Sequence, residues 1–245
     1  MKNNLVGKIK HVSGYLVSII IFIACLLWIV YFNGDRHYIL LSMICLVASM
    51  LPFYWHFETR NSEAREIVFL AVLATIAALG RVALAAVPGV KPTSFVVVMT
   101  GLTLGPEAGF IVGSTSALVS NLFLGQGPWT PWQMFAWGLM GITAGLVRNF
   151  KWAHKRKYLA GLGVAYGFLF GWIMDLWYAM VYVQPLNIKT FIAAYATSFY
   201  FDLTHGITTA VLLFFFYESW YKIITRFKYK YGLANVQQEI DQQSF

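Results

Sequence analysis

From Ser13 onward the chain alternates long apolar runs with short polar breaks. The runs lie at 13–32, 38–57, 66–87, 95–105, 107–124, 131–147, 158–183 and 190–217. A membrane-spanning helix needs about 20 mostly apolar residues, and lipid offers no partner to backbone N–H and C=O groups. The pattern therefore predicts an all-α, polytopic membrane helix bundle of eight segments. The fourth run is short. Gly105-Pro106-Glu107 divides it from the fifth, with Pro106 suited to the first turn of a helix and Glu107 favoured there by the helix dipole. This pair either spans fully or dips in and returns, and the parity is the same.

Composition agrees. Hydrophobic residues make up 59% of the 245 and charged residues 11%, where a soluble domain carries about 25% charged. The formal charge of +8 falls in short clusters between apolar runs. That arrangement points to the cytoplasmic side of a membrane and not to nucleic acid. With the N-terminus inside, the inner segments carry Lys2, Lys8, Lys10, Arg60, Arg65, Arg148, Lys151, Lys155, Arg156, Lys157, Lys222, Arg226, Lys228 and Lys230. The outer loops carry only Arg36, Lys91 and Lys189. Both termini are thus predicted to be cytoplasmic. The first run follows three lysines but exceeds the usual 7–15-residue signal core, and no A-x-A pattern follows it, so it reads as a retained anchor. Cys25 and Cys45 lie within apolar runs and read as small buried side chains. The tail after Tyr231 is polar.

Small residues recur every fourth position: Ala74/Ala78, Gly101/Gly105, Gly109/Gly113, Gly141/Gly145 and Gly163/Gly167/Gly171. Such pairs let helices approach closely, in most cases within the bundle; one such face is free to dock another protein.

The stretch FLGQGPWTPWQMFAWG at 123–138 marks an outer turn and a helix start. Thr130 suits the N-cap, Pro131 the first helical position and Gln133 the capping box, with Trp129 and Met134 at the staple positions. Tryptophan also favours the interface. The functional alternative is a cap over a cavity, with Gln126 supplying polar groups and Trp129 and Trp132 supplying flat apolar area. The outer loop PGVKPTSF at 88–95 is similarly built, with Lys91 for charge and Thr93 for a hydroxyl. Together the loops suggest a lidded pocket open to the outside.

Ionisable residues inside a span cost about 2.5–3.5 kcal/mol on insertion scales, so each needs a reason. Arg81, Asp175, Asp202 and His205 are of this kind. Arg81 and Asp175 lie at similar depth, and a pair between them is one expectation; contact with a substrate is the other. Asp202 and His205 share a helix face at i, i+3. Metal or acid–base chemistry would need a third ligand, or a nucleophile with its orienting base, and H-E-x-x-H, G-x-S-x-G and C-x-x-C are absent from the sequence. A polar patch that orients a ligand is the preferred reading, with a cross-helix bond equally open. Asn121, Tyr178, Tyr182 and Tyr200 are placed to join it. No G-x-x-x-x-G-K-[ST] occurs, so the chain carries no visible means of hydrolysing ATP.

Residues 66–217 resemble the substrate-binding S-component of an energy-coupling factor (ECF) transporter. EIVFLAVLATIAALGRVAL, PGVKPTSF with MTGLTLGPEAGFIVGSTSALVSN, and NLFLGQGPWTPWQMFAWGLMGITAG carry the likeness. The resemblance implies a six-helix substrate-binding core at 61–230, preceded by two additional helices within 1–60 and followed by a polar cytoplasmic tail at 231–245. It implies that Ala74 and Ala78 face a membrane-embedded coupling (T) subunit. Two cytosolic ATPase subunits would hydrolyse ATP, with no covalently bound cofactor on this chain. Arg81, Lys91, Thr93, Asn121, Gln126, Trp129, Trp132, Gln133, Asp175, Tyr178, Asp202 and His205 would meet a vitamin arriving from outside a bacterial cell membrane. The chain is most similar to cobalamin-specific members, which makes cobalamin and related corrinoids the expected cargo. S-components for a queuosine precursor, pantothenate or a thiamine precursor are the alternatives. An intramembrane enzyme using Asp202 and His205, and an ion-coupled carrier acting alone, are the rival classes.

Overall fold

A computed structural model describes residues 38–59, 64–185 and 187–232. The first predicted span at 13–32, Cys25, Arg60 and most of the polar tail lie outside the described residues. Seven α-helices and one short 3-10 turn account for the described structure: α1 (Tyr38–Thr59), α2 (Ala64–Ala83), α3 (Thr93–Leu104), α4 (Pro106–Leu124), α5 (Thr130–Val147), the turn Lys151–His154, α6 (Arg156–Tyr182) and α7 (Ile188–Lys230). Four of them, α2, α4, α6 and α7, are long and apolar enough to cross a membrane. The chain is thus a polytopic helical bundle.

The short fourth run becomes α3, of 12 residues. At 1.5 Å per residue it reaches about 18 Å, well short of the roughly 30 Å hydrocarbon core. It compensates by burial: residues Thr93 to Thr103 are all enclosed by neighbouring helices. Gly105, at φ +110°, ends α3, and Pro106 opens α4 as its sequence position predicts. The two helices fold back on each other there. A Cβ on Gly109 would lie 2.9 Å from Gly101 Cα and 2.6 Å from the Gly141 carbonyl of α5.

The other glycine series also packs within the bundle. A Cβ on Gly163 would come within 2.6 Å of Ala210 N, and one on Gly167 within 2.2 Å of Gly206 N, so α6 and α7 touch backbone to backbone. An Arg156–Glu218 ion pair of 2.6 Å joins the same two helices at their far end. The two tightest seams of the bundle are therefore legible as four-residue repeats of glycine.

α1 covers one flank. Leu46, Met50 and Phe53 pack on Phe110, Trp132, Phe135, Ile142 and Trp177, forming a second apolar cluster beside the main core. Phe53 stacks on Phe110 at 4.3 Å, and the Tyr54 hydroxyl donates to Ser114 Oγ at 2.7 Å.

Candidate ligand-binding site

One connected set of polar and aromatic side chains runs across the bundle near the loops that precede α3 and α5. Its first part is built on Arg81, near the C-terminal end of α2. Arg81 Nη1 donates to Ser120 Oγ and to Asn121 Oδ1, both at 2.6 Å, and Nη2 donates to Gln133 Oε1 at 3.3 Å. Asn121 Nδ2 donates to Gln133 Oε1 and to Thr130 Oγ1, both at 2.9 Å. A guanidinium in a fork of neutral oxygens is well solvated without a counter-ion. The expected Arg81–Asp175 pair is therefore not formed; Arg81 turns to α4 and α5, which offer three oxygens close by.

Trp137 links this part to the second. The Arg81 guanidinium lies 5.0 Å from its ring centre. Its indole Nε1 donates to Ser94 Oγ at 3.0 Å, and Ser94 Oγ meets His205 Nε2 at 2.6 Å. Ser94 Oγ accepts from Trp137, and the direction of its bond with Nε2 is set by the His205 tautomer. Phe170 stands against both rings, 4.3 Å from Trp137 and 5.1 Å from His205.

The second part gathers Lys91, Asp175, Ser198 and Asp202. Ser198 Oγ lies 2.5 Å from Asp175 Oδ2 and 3.2 Å from Asp202 Oδ2, so its single proton is within reach of both carboxyl groups, the nearer being Asp175. Gly171 makes room for Asp202, since a Cβ there would meet its carboxylate. Lys91, on the loop between α2 and α3, places its ammonium 4.3 Å from the Phe170 ring centre and 4.5 Å from that of Phe201. Gly89, at φ +77°, seats the same loop against Phe201 and Thr204. Burial, with the nearby charge of Arg81, pulls the Lys91 ammonium down to about 7, while Asp202 and Asp175 pull the other way.

Other sequence candidates fall elsewhere. Trp132 is buried in the cluster under α1, and Trp129 meets Trp177 edge-on at 6.0 Å. Neither ring joins the Arg81–Asp202 network. Gln126 is spent on its own turn: Nε2 donates to the Leu118 carbonyl and Oε1 accepts from Thr130. The expected capping box at Thr130 does not form. Trp129 is the N-cap residue and no side chain caps it, because Thr130 Oγ1 and Gln133 Oε1 are both engaged by Asn121. Thr93 donates to the Ala77 carbonyl at 2.8 Å, and Tyr178 is exposed against Tyr182. Ala74 and Ala78 are buried, 3% and 2% exposed, so the surface expected to meet a partner is covered by the chain's own helices. The free stripe of α2 carries Val68, Val72, Ile76 and Leu79.

Sequence reasoning missed Ser94, Ser120, Trp137, Phe170, Ser198 and Phe201 as site residues. Two had a signal. Trp137 is one helical turn beyond Gln133, and Ser198 one turn before Asp202. The Ser94–His205 contact has the look of a nucleophile and its base, but the Asp202 carboxylate is engaged by Ser198. Among the described residues no group of three His, Cys, Asp or Glu side chains could hold a metal ion.

This arrangement defines a helical membrane protein with a ring-lined polar site under a loop. Residues 61–222 match the family described as the ECF-type riboflavin transporter, S component, and the chain belongs to that family. Among curated proteins it is similar to a UPF0397 protein of Vibrio atlanticus (strain LGP32), 31% identical over 91 residues, covering 35% of this chain and 50% of the relative. It is also similar to a UPF0397 protein of Aliivibrio salmonicida (strain LFI1238), 30% identical over 107 residues, covering 42% and 56%. The chain thus matches about half the length of these relatives. No solved structure matches it.

Proposed function

We propose that this chain is the S-component that captures a vitamin-type solute from outside the cell and passes it inward through a T subunit driven by two ATPase subunits. The observation that carries this reading is the chain of contacts from Arg81 through Trp137, Ser94 and His205, and by way of the Phe170 ring to Lys91. It combines flat apolar area with separated donors and acceptors, which is what recognition of a ring-bearing polar solute requires. The loop at 84–92 carries Lys91 to this network, and the basic clusters at 148–157 and 222–230 support a cytoplasmic assignment for the opposite end of the bundle by the positive-inside rule.

A surface for the T subunit is available on α2, beside Ala74 and Ala78. An apolar groove of about 690 Å³ lies there, lined by Val68, Val72 and Ile76 of α2 and Trp220, Ile223 and Phe227 of α7. Cobalamin and its relatives are the first solutes to screen, on the sequence resemblance. A flavin is the second, on the family's description.

Reconstitution tests the reading. The lone chain in vesicles should bind a vitamin saturably without accumulating it. Uptake should appear only when the T subunit, both ATPases and internal ATP are added. Accumulation by the lone chain against a gradient would overturn it.

A further inference from the structure

We propose that the cage of Phe170, Phe201, Asp175 and Asp202, where the Lys91 ammonium now sits, receives a cationic nitrogen of the transported solute, displacing Lys91. This rests on the S-component reading and puts a solute with a cationic nitrogen ahead of the cobalamin and flavin named above, neither of which carries one.

The argument is one of chemical fit. Two ring faces lie 4.3 and 4.5 Å from the ammonium nitrogen, within the roughly 6 Å over which a cation is drawn to an aromatic face. Behind them stand two carboxylates, with one serine hydroxyl within reach of both. The two ring faces hold the ammonium directly, and the carboxylates, beyond ion-pair distance, add longer-range attraction for positive charge. Lys91 meets that demand from a tethered position: it belongs to a loop, is only half-buried, and makes no ion pair shorter than 4.0 Å with either aspartate. Its position on the 84–92 loop means that displacement carries the loop with it. Phe201 is 43% exposed at the edge of the cage, while Phe170, Asp202 and His205 are buried beneath it. Gly171 is consistent with this design, because any larger residue would push the Asp202 carboxylate out of place.

The test uses choline and its neutral isostere 3,3-dimethyl-1-butanol on the purified full-length chain in an uncharged detergent, read by calorimetry. Lys91→Met removes the competing ammonium. It should bind choline at least about ten-fold more tightly than the isostere, and more tightly than the wild type binds choline. Adding Asp202→Asn or Phe201→Leu to Lys91→Met should abolish that preference. Choline keeps its charge at every pH, so the pH profile reads the protein alone. As pH rises from 6 to 8 the Lys91 ammonium, pulled down to about 7, loses its proton and stops competing. Wild-type affinity should rise over that window, and the rise should shrink in Lys91→Met. What remains there belongs to the other titratable groups near the cage, Asp175 on α6 and Tyr195, Asp202 and His205 on α7, with the Arg81 charge on α2 beside them.

Size-exclusion and helical circular dichroism identify any variant that fails to fold, and Lys91→Gln then takes the place of Lys91→Met. Equal binding of choline and the isostere, or no change on removing Asp202 or Phe201, overturns the proposal. If that happens while vesicles with the partner subunits still take up a vitamin, the S-component reading stands alone. Solitary pumping would remove that reading and leave the cage result intact.

Discussion

Arg81 shows how a single ionisable residue is made tolerable inside a bundle. Its charge is met by Ser120, Asn121 and Gln133 oxygens and by the Trp137 ring face, with no carboxylate. Hydrogen bonds to a charged group contribute about 1.5–3 kcal/mol each. Arg81→Met should therefore cost on the order of 3 kcal/mol, seen as a fall in melting temperature in detergent. Arg81→Lys should recover little of it, because an ammonium cannot span the fork. That Arg81 needed a partner was legible from its place in an apolar run. Which partner it takes was not. Asp175 was the obvious choice by sign, but the helix neighbours of Arg81 are α4 and α5, while Asp175 lies on α6. Charge counting alone ranks partners by attraction, and only the packing order says which are within reach.

At the scale of the element, the α6–α7 seam makes contrasting predictions for two glycines six residues apart. Gly167 sits against the backbone of Gly206, so Gly167→Ala must push the helices apart, at about 1–3 kcal/mol for overpacking. Gly161 has open space around its would-be Cβ, so Gly161→Ala should raise the melting temperature, by up to about 1 kcal/mol of helix propensity. Thermal unfolding of the two variants checks both signs. The glycine spacing announced close helix contact in the sequence, and its internal role holds at both seams. The alanine spacing on α2 was read one face away. Ala74 and Ala78 belong with Leu70, Leu73 and Ala77 in the core, and Val68, Val72 and Ile76 look outward. On a helix this apolar, hydrophobicity does not separate the inside from the lipid side, so the pattern fixes a helix without fixing its rotation. The same limit hid the fate of Trp132, which is interior because α1 lies over it.

For the molecule as a whole, sidedness is the property that most needs measurement. The expected topology places the turn at 125–129 outside and the basic connection at 148–157 inside. With Cys25 and Cys45 replaced by serine, a membrane-impermeant maleimide applied to intact cells should label Gln126→Cys and spare Lys155→Cys. The reverse pattern would invert the topology. The number of helices and their order were legible from hydropathy over the described residues, apart from the depth reached by α3. A further property follows from the α6–α7 seam. The close glycine contacts at 163–171 and the Arg156–Glu218 pair hold these helices together along one stretch, and over that stretch they would tilt as a unit. From Gly171, beside Asp202, to Arg156 is about 22 Å at 1.5 Å per residue. A tilt of about 10° at the cage end then shifts the basic end by roughly 4 Å. Leverage of this kind, rather than bending of either helix, is the route by which events at the cage would reach the basic end.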